Sequence, residues 1–361
     1  MLAEVRFEIF PLRKADFLME EISKMQKIKG FFIRYLPYIL SGIVVLCIGL
    51  SMIGPFFDLR VKIDGEKIDT VYRLTDLLFT SNAGKSTQVF SILTYLGLPL
   101  LGCGFVFLGK LNHNFYTISV LLFLVAGMSS ILVNDITATV VSLMTELNYS
   151  VHDVYFCFVL PIIIFFIAGF VSLVIASKEI NITVSDITEM GILIGLALAL
   201  NFVKIVQMPT GGSINFQMLP LFILALRKGP IKGFIGAGIA YGLISCITDG
   251  YGIATYPFDY MLGFGSVCVL GFFTPFIFGE DQKNYNFKGE LFIFIGAFIS
   301  TFIRFIGGTV SSMIIYGYDL LPAMTYNSLY VSISGLIAIV VVMAVYGPFI
   351  RVNNRFPSNK K

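Results

Sequence analysis

Long apolar runs separated by short polar joints pattern this chain from residue 33 onward. A membrane-crossing helix needs about 20 apolar residues. Runs of that order occupy 33–56, 88–109, 116–134, 154–177, 188–207, 233–248, 258–279, 291–317 and 327–349. A tenth, shorter run lies in Gly211-Gly212-Ser213-Ile214-Asn215-Phe216-Gln217-Met218-Leu219-Pro220-Leu221-Phe222-Ile223-Leu224-Ala225-Leu226-Arg227-Lys228-Gly229. Phe216 to Leu226 covers roughly 17 Å as a helix, against a hydrocarbon core about 30 Å thick. Irregular backbone at membrane depth is tolerated only inside protein or along a wet cavity, so Thr210 to Ser213 is expected to dip inward. Gly211 and Gly212 would permit positive φ and close approach to a ligand. The alternative is an ordinary span kinked at Pro220 beneath a surface loop. Arg227-Lys228-Gly229-Pro230 reads as a tight cytoplasmic turn, with a helix-ending Gly and a helix-starting Pro.

The pattern predicts an all-α integral membrane protein of about ten spans. The polar joint from Ala176 to Asp186 divides it into a four-helix region, 1–182, and a six-helix region, 183–361. The run over 116–145 exceeds one span and is interrupted by Asn134-Asp135, so its end is expected to bend or re-enter. No internal repeat or low-complexity segment stands out.

Composition sharpens this picture: 57% of the residues are hydrophobic and 13% charged, more apolar than ordinary globular chains. The charged opening lacks the apolar core and small-residue site of a removable signal peptide. With both termini cytoplasmic, 18 of the 25 Lys and Arg fall on the inner side, in accord with the positive-inside rule. Arg60, Lys62, Lys67, Arg73 and Lys85 fall in one outer loop, balanced by Asp58, Asp64, Glu66, Asp69 and Asp76.

Cys47, Cys103, Cys157, Cys246 and Cys268 lie in apolar runs without metal-ligand spacing and read as small buried hydrophobes. His113 and His152 have no metal-like companions. Ala83-Gly84-Lys85-Ser86 lacks the earlier glycine of a phosphate loop, whose place Phe79 takes. No catalytic constellation, metal site, cofactor site or nucleic-acid feature is indicated.

Ordered motifs in the second half carry a resemblance. They are Thr188-Glu189-Met190-Gly191, the Gly211–Gly229 stretch, Gly233-Phe234-Ile235-Gly236-Ala237-Gly238-Ile239-Ala240-Tyr241-Gly242-Leu243, Phe258-Asp259-Tyr260 and Arg304-Phe305. Over residues 185–355 the chain resembles the substrate-binding (S) components of energy-coupling factor (ECF) vitamin transporters, the thiamine-specific subfamily in particular. The resemblance implies a non-enzymatic subunit that captures a vitamin at the extracellular side. It also implies docking on a transmembrane coupling subunit driven by two cytoplasmic ATPase subunits. Residues 1–182 are not explained by it.

Several residues become candidates. Gly191, Gly195 and Ala199 form a small-residue stripe, which suits close helix packing in lipid; the resemblance makes it the coupling-subunit docking surface, and internal packing is the alternative. Gly238 and Gly242 are assigned to internal packing. Asp259 at the outer start of a helix, beside Tyr260, Tyr256 and Tyr251, suits a cationic or amino-bearing ligand; a helix-capping Asp among interfacial tyrosines is the plainer alternative. Arg304, deep in a span, is expected to pair with Asp259 or to line the pocket. Tyr316 and Tyr326 are expected to close the pocket, and Gly211, Gly212 and Asn215 complete the ligand-binding set.

The resemblance breaks where the family carries a histidine and an asparagine. Here Gly308 and Val331 or Ser332 stand in those places, no tryptophan is present, and Tyr316 takes one of the stacking positions. Which vitamin is bound therefore stays open, as do two other classes: a self-sufficient secondary transporter, for which Asp135 is the one acidic candidate in the first half, and a membrane assembly protein without a ligand.

Overall fold

The computed structural model describes residues 35–63, 65–80, 83–177, 181–209, 211–278 and 285–355. The expectations for Arg6, Arg13, Lys14, Lys24, Lys27, Lys29, Arg34, Lys178, Thr210, Lys283, Lys360 and Lys361 lie outside the described residues.

The chain folds as a membrane protein whose candidate spans are all helices, with short strands between some of them. In order run α1 (Tyr35–Ser51), β1 (Pro55–Ile63), β2 (Glu66–Arg73), α2 (Lys85–Leu108), α3 (Phe115–Thr145), β3 (Ser150–Val154), α4 (Phe156–Ser177) and α5 (Val184–Phe202). Next comes the small ladder β4 (Val206–Gln207) with β5 (Ser213–Ile214), then a helical stretch, Met218–Asp249. Gly229 (φ 77°, ψ −175°) breaks that stretch into α6 (218–228) and α7 (230–249). The chain closes with α8 (Ile253–Phe272), α9 (Phe287–Ile315), α10 (Leu320–Ala344) and α11 (Tyr346–Arg355).

Among the described residues, eight helices are long and apolar enough to cross a membrane. Counting the broken one twice and adding the shorter α1 gives the ten rods that the pattern predicts. The short run is indeed a short helix, because Gly229 adopts a conformation that L side chains rarely reach.

Two expectations about the helices need correction. Helix α3 continues unbroken through Asn134-Asp135; just beyond them Thr137 and Thr139 donate their hydroxyls to the Val133 and Asp135 carbonyls, so these polar side chains are accommodated within the helix. The first helix of the second half begins at Val184, a turn before Thr188. There Thr183 and Asp186 form a capping box, each satisfying a backbone N–H of the other.

The charged outer loop is a sheet of order β2-β1-β3, all antiparallel. Ile63 pairs with Glu66 across the hairpin, and Gly65 between them holds φ 90°; Asp64 lies outside the described residues. Arg60 faces Asp69 across the ladder with bonds of 2.6 and 2.7 Å. Phe56 and Phe57 turn inward onto Phe158 of α4.

The halves touch along α8. Phe90 of α2 meets Phe258 at 5.7 Å and Phe115 of α3 meets Phe272 at 4.7 Å between ring centroids. Within the second half, α7 and α8 cross where side chains vanish. A Cβ at Gly238 would lie 2.9 Å from Gly265 Cα, and one at Gly242 would lie 3.3 Å from the Tyr260 carbonyl, which supports internal packing. The five cysteines are free.

At one end of the second half, α5 is clamped to the α6–α7 turn by buried charges. Asp186 accepts from Lys228 at 2.9 Å and Lys232 at 2.8 Å. Glu189 pairs with Lys228 at 2.6 Å and with Arg227. The cations of this turn are therefore paired inside the protein, which is how buried charge is tolerated.

Candidate functional site

At the opposite end, where α5, α7 and α9 finish and α6, α8 and α10 begin, the helices enclose a cavity of about 90 Å³. Alternating helix direction puts it at the same end as the β-sheet. Its lining comes from the α5–α6 loop, the α7–α8 joint and the facing turns of α8, α9 and α10.

Local backbone aims these side chains. Residues 256–262 of α8 and 328–332 of α10 are π-helical. Such widened turns slip the side-chain register by about one residue and recur at functional sites. The first carries Asp259 and Tyr260, and the second carries Tyr330 and Val331, all on the lining. Pro257 sits in the first turn of the α8 π-segment, where its missing N–H has no intrahelical duty.

The acidic wall has two carboxylates. Asp259 accepts from Ser311 at 2.6 Å. Asp249, at the end of α7, accepts from Asn201 at 3.3 Å, Ser245 at 3.2 Å and Tyr260 at 3.1 Å. The aromatic side is Tyr251, Tyr316, Tyr326 and Tyr330. Burial, then the Asp249 carboxylate, raises the Tyr251 phenol above its ordinary value. Burial, then the Asp259 carboxylate, pushes Tyr316 up to about 12. Both phenols stay neutral donors at physiological pH.

The glycine loop fits against these rings. Gly211 and Gly212 hold φ of 106° and 79°. A Cβ on Gly211 would sit 2.9 Å from the Tyr251 ring, and one on Gly212 would sit 2.6 Å from the Tyr330 ring. Tyr326 donates its hydroxyl to the Gly211 carbonyl and ties α10 to this loop.

Of the expected ligand-binding residues, Asp259, Tyr260, Tyr251, Gly211, Gly212, Arg304, Tyr316 and Tyr326 share the cavity. Two do not reach it. Tyr256 is buried and donates to the Gly238 carbonyl at 3.2 Å, because the π-turn points it at α7. Asn215 is buried behind the lining and donates to Asn201 at 3.0 Å and Ser213 at 2.9 Å. The expected Arg304–Asp259 ion pair is also not formed; Arg304 lies 4.6 Å over the Phe264 ring and lines the cavity.

Sequence reading missed Asp249, Gln217, Asn201, Ser312 and Tyr330, which also line the cavity. Asp249-Gly250, at the end of an apolar run, resembled an ordinary helix stop. Gln217 was inside the quoted glycine stretch, and Tyr241 donates to it at 2.6 Å. Gly308 leaves room for Asn327, whose Oδ1 would lie 2.6 Å from any Cβ there. Asn327 in turn donates to Ser312 at 2.8 Å and accepts from Tyr330 at 2.8 Å.

The small-residue stripe behaves differently from the internal glycines. Gly191, Gly195 and Ala199 are all exposed on α5. Among the described residues nothing lies within 4 Å of a Cβ at either glycine, unlike the closely packed Gly238 and Gly242.

Residues 187–354 match the family described as "Thiamine transporter protein (Thia_YuaJ)". Thiamine transporter ThiT of Bacillus subtilis (strain 168) is 25% identical over 174 residues, covering 44% of this chain and 88% of that protein. Thiamine transporter ThiT of Lacticaseibacillus paracasei is 27% identical over 137 residues, 34% of this chain and 66% of its own length. A solved structure of ThiT from Listeria monocytogenes covers 47% of this chain and 95% of its own, at 18% identity and a TM-score of 0.39. The family is one of transporters, a non-enzymatic class. The resemblance read from the sequence holds over this region: residues 187–354 of this multi-pass membrane chain are similar to the thiamine transporter family.

Proposed function

We propose that this chain is the substrate-capture subunit of an ECF-type importer and binds thiamine or a thiamine-like precursor from the extracellular side. The observation that carries this reading is the cavity between Asp259, Asp249 and the tyrosines, within the family-matched residues. Two carboxylates against the single buried guanidinium of Arg304 leave the cavity one negative charge, with Lys204 exposed at its rim. A monocation such as the thiazolium of thiamine restores neutrality, and a tyrosine face attracts such a ring. The glycine loop over residues 211–212, tied to Tyr326, forms the entrance.

On this reading the termini are cytoplasmic and the Asp186–Lys228–Lys232 cluster marks the inner face. The open Gly191-Gly195-Ala199 stripe meets a helix of the coupling subunit, which two cytoplasmic ATPase subunits drive. Residues 1–182 form a separate membrane region that braces α8, and residues 183–361 hold the vitamin.

Binding of labelled thiamine to the purified chain tests the ligand. Tight binding of another vitamin, with none of thiamine or its pyrimidine precursor, overturns that assignment. Co-purification with the coupling subunit tests the partner, and Gly195→Leu is expected to abolish it while leaving vitamin binding intact.

A further inference from the structure

Asn215 does not reach the cavity, yet its side-chain amide is fully engaged behind it. The residue is 1% exposed. Its Oδ1 accepts the Gln217 backbone N–H at 3.2 Å. Its Nδ2 donates to Asn201 Oδ1 at 3.0 Å and to Ser213 Oγ at 2.9 Å. Asn201, buried on the cavity lining, carries the chain onward, since its Nδ2 donates to Asp249 Oδ1 at 3.3 Å. The other carboxylate oxygen, Asp249 Oδ2, accepts from Ser245 at 3.2 Å and from Tyr260 at 3.1 Å.

The two ends fix the direction of this chain. A backbone N–H only donates, so the Asn215 amide turns its oxygen to Gln217 and its nitrogen to Asn201. Asn201 must then show Asn215 its oxygen, which leaves its own nitrogen for Asp249. An ionised carboxylate only accepts, so the far end matches. Turning either amide around would set like groups against each other in a buried place, and an unmatched buried polar group costs more than a hydrogen bond contributes. Asp249 needs such anchoring because it closes α7, with Gly250 following at φ 74°. Donors from α5, α7 and α8 hold its carboxylate against the cavity, and the α5 donor is oriented from behind by Asn215.

We propose that Asn215 and Asn201 form a directed hydrogen-bond relay that aims the Asp249 carboxylate at the ligand's cation, which makes Asn215 a positioning residue for a site it does not touch. The inference rests on the thiamine-type reading of this cavity.

Two double-substitution cycles in the nanodisc-embedded full chain test it, each pairing a change at Asn215 with Asp249→Asn. The first reads the unfolding temperature without ligand. Asn215→Asp alone turns the Asn201 amide around and sets its oxygen against Asp249, so the unfolding temperature falls. Adding Asp249→Asn supplies a nitrogen to that oxygen, and the chain closes again in the opposite direction at unchanged net charge. The pair is expected to recover most of the fall, because members of one network do not add. Additive shifts overturn the relay. If Asn215→Asp alone does not fold, recovery of folded protein by the pair supports the relay, and continued failure overturns it.

The second cycle reads thiamine binding by calorimetry. Asn215→Ala releases the Asn201 amide and is expected to weaken thiamine about 3- to 10-fold, the range for one neutral hydrogen bond. With Asp249→Asn in place no carboxylate is left to aim, and the same change should alter affinity by less than about twofold. Equal losses in both backgrounds overturn the positioning role and leave Asn215 a support of the glycine loop alone. Failure of the unsubstituted chain to bind thiamine defeats the vitamin reading and the positioning role with it, whereas the unfolding cycle, which needs no ligand, decides the relay by itself.

Discussion

Replacing Asp259 by Asn removes one charge from the cavity wall while keeping the side chain's size and an acceptor for Ser311, which donates at 2.6 Å. In the proposed complex the carboxylate faces a monocation. At about 4 Å and an effective dielectric near 20, such a pair is worth about 4 kcal/mol. Asp249 remains as a second anion on the same wall and the cavity opens toward solvent, so the realised loss falls to about 1.5–3 kcal/mol, the range for charge-assisted contacts. Thiamine affinity is therefore expected to fall about 10- to 150-fold. Calorimetry at low and high salt measures it, and the loss should persist at high salt because a buried pair is poorly screened. An uncharged isostere of thiamine provides the control and should lose less than about threefold, since it has no charge for Asp259 to balance. A loss for thiamine below about threefold in folded protein, or an equal loss for the isostere, refutes the electrostatic argument.

Gly212→Ala forces an L side chain into φ 79° and drives a methyl to 2.6 Å from the Tyr330 ring. The strain alone is about 1–2 kcal/mol, so thiamine binding should weaken at least about 5-fold while the protein stays monodisperse on size exclusion. Asp186→Asn removes the charge that Lys228 and Lys232 share at 2.9 and 2.8 Å. Lys228 keeps Glu189, but Lys232 loses its carboxylate partner. Breaking a buried pair costs about 3–5 kcal/mol, so the unfolding temperature should drop clearly in a thiol-dye melt while vitamin affinity at low temperature is retained.

Apolar runs marked each of the ten rods because lipid imposes one rule on all of them, the satisfaction of backbone groups within the helix, but not their ends, since α3 runs on to Thr145 and α10 begins at Leu320, and not the short helices Leu74–Phe79 and Tyr346–Arg355. The site was legible wherever a residue was out of place for lipid, as with Asp259, Arg304 and Gly211-Gly212. It was illegible where a residue looked ordinary for its position. Asp249 could pass as a helix stop, and Tyr330 and Ser312 are aimed at the cavity by a π-turn and by helix phase that no local pattern announces. Tyr256 failed for the complementary reason: its spacing from Asp259 suits one face of an α-helix, and the π-segment moves it to another. The sheet escaped because its strands mix charges with apolar residues so evenly that a solvated loop explained them equally well. Asp64-Gly65 was the overlooked cue.

The geometry of α8 links the two halves and separates bracing from docking. On one side Phe258, next to Asp259, packs on Phe90 of α2 at 5.7 Å, and Gly265 brings Leu121 of α3 within 3.2 Å of the point where its Cβ would stand. The stripe on α5 lies apart from these contacts, since nothing among the described residues comes within 4 Å of a Cβ at Gly191 or Gly195. A defect on α2 should therefore disturb the site without touching the proposed docking face. Phe90 is 1% exposed. Phe90→Ala would cost about 3–5 kcal/mol in a water-soluble core, and less here, about 1–3 kcal/mol, because lipid is as apolar as the ring it replaces and only packing is lost. The expected outcome is a lower unfolding temperature and a several-fold weaker thiamine affinity as Phe258 relaxes, with the yield of co-purified coupling subunit unchanged. Gly195→Leu should give the mirror image. If Phe90→Ala instead abolished co-purification while leaving vitamin binding intact, bracing and docking would share one surface and the proposed division of labour between the halves would fail.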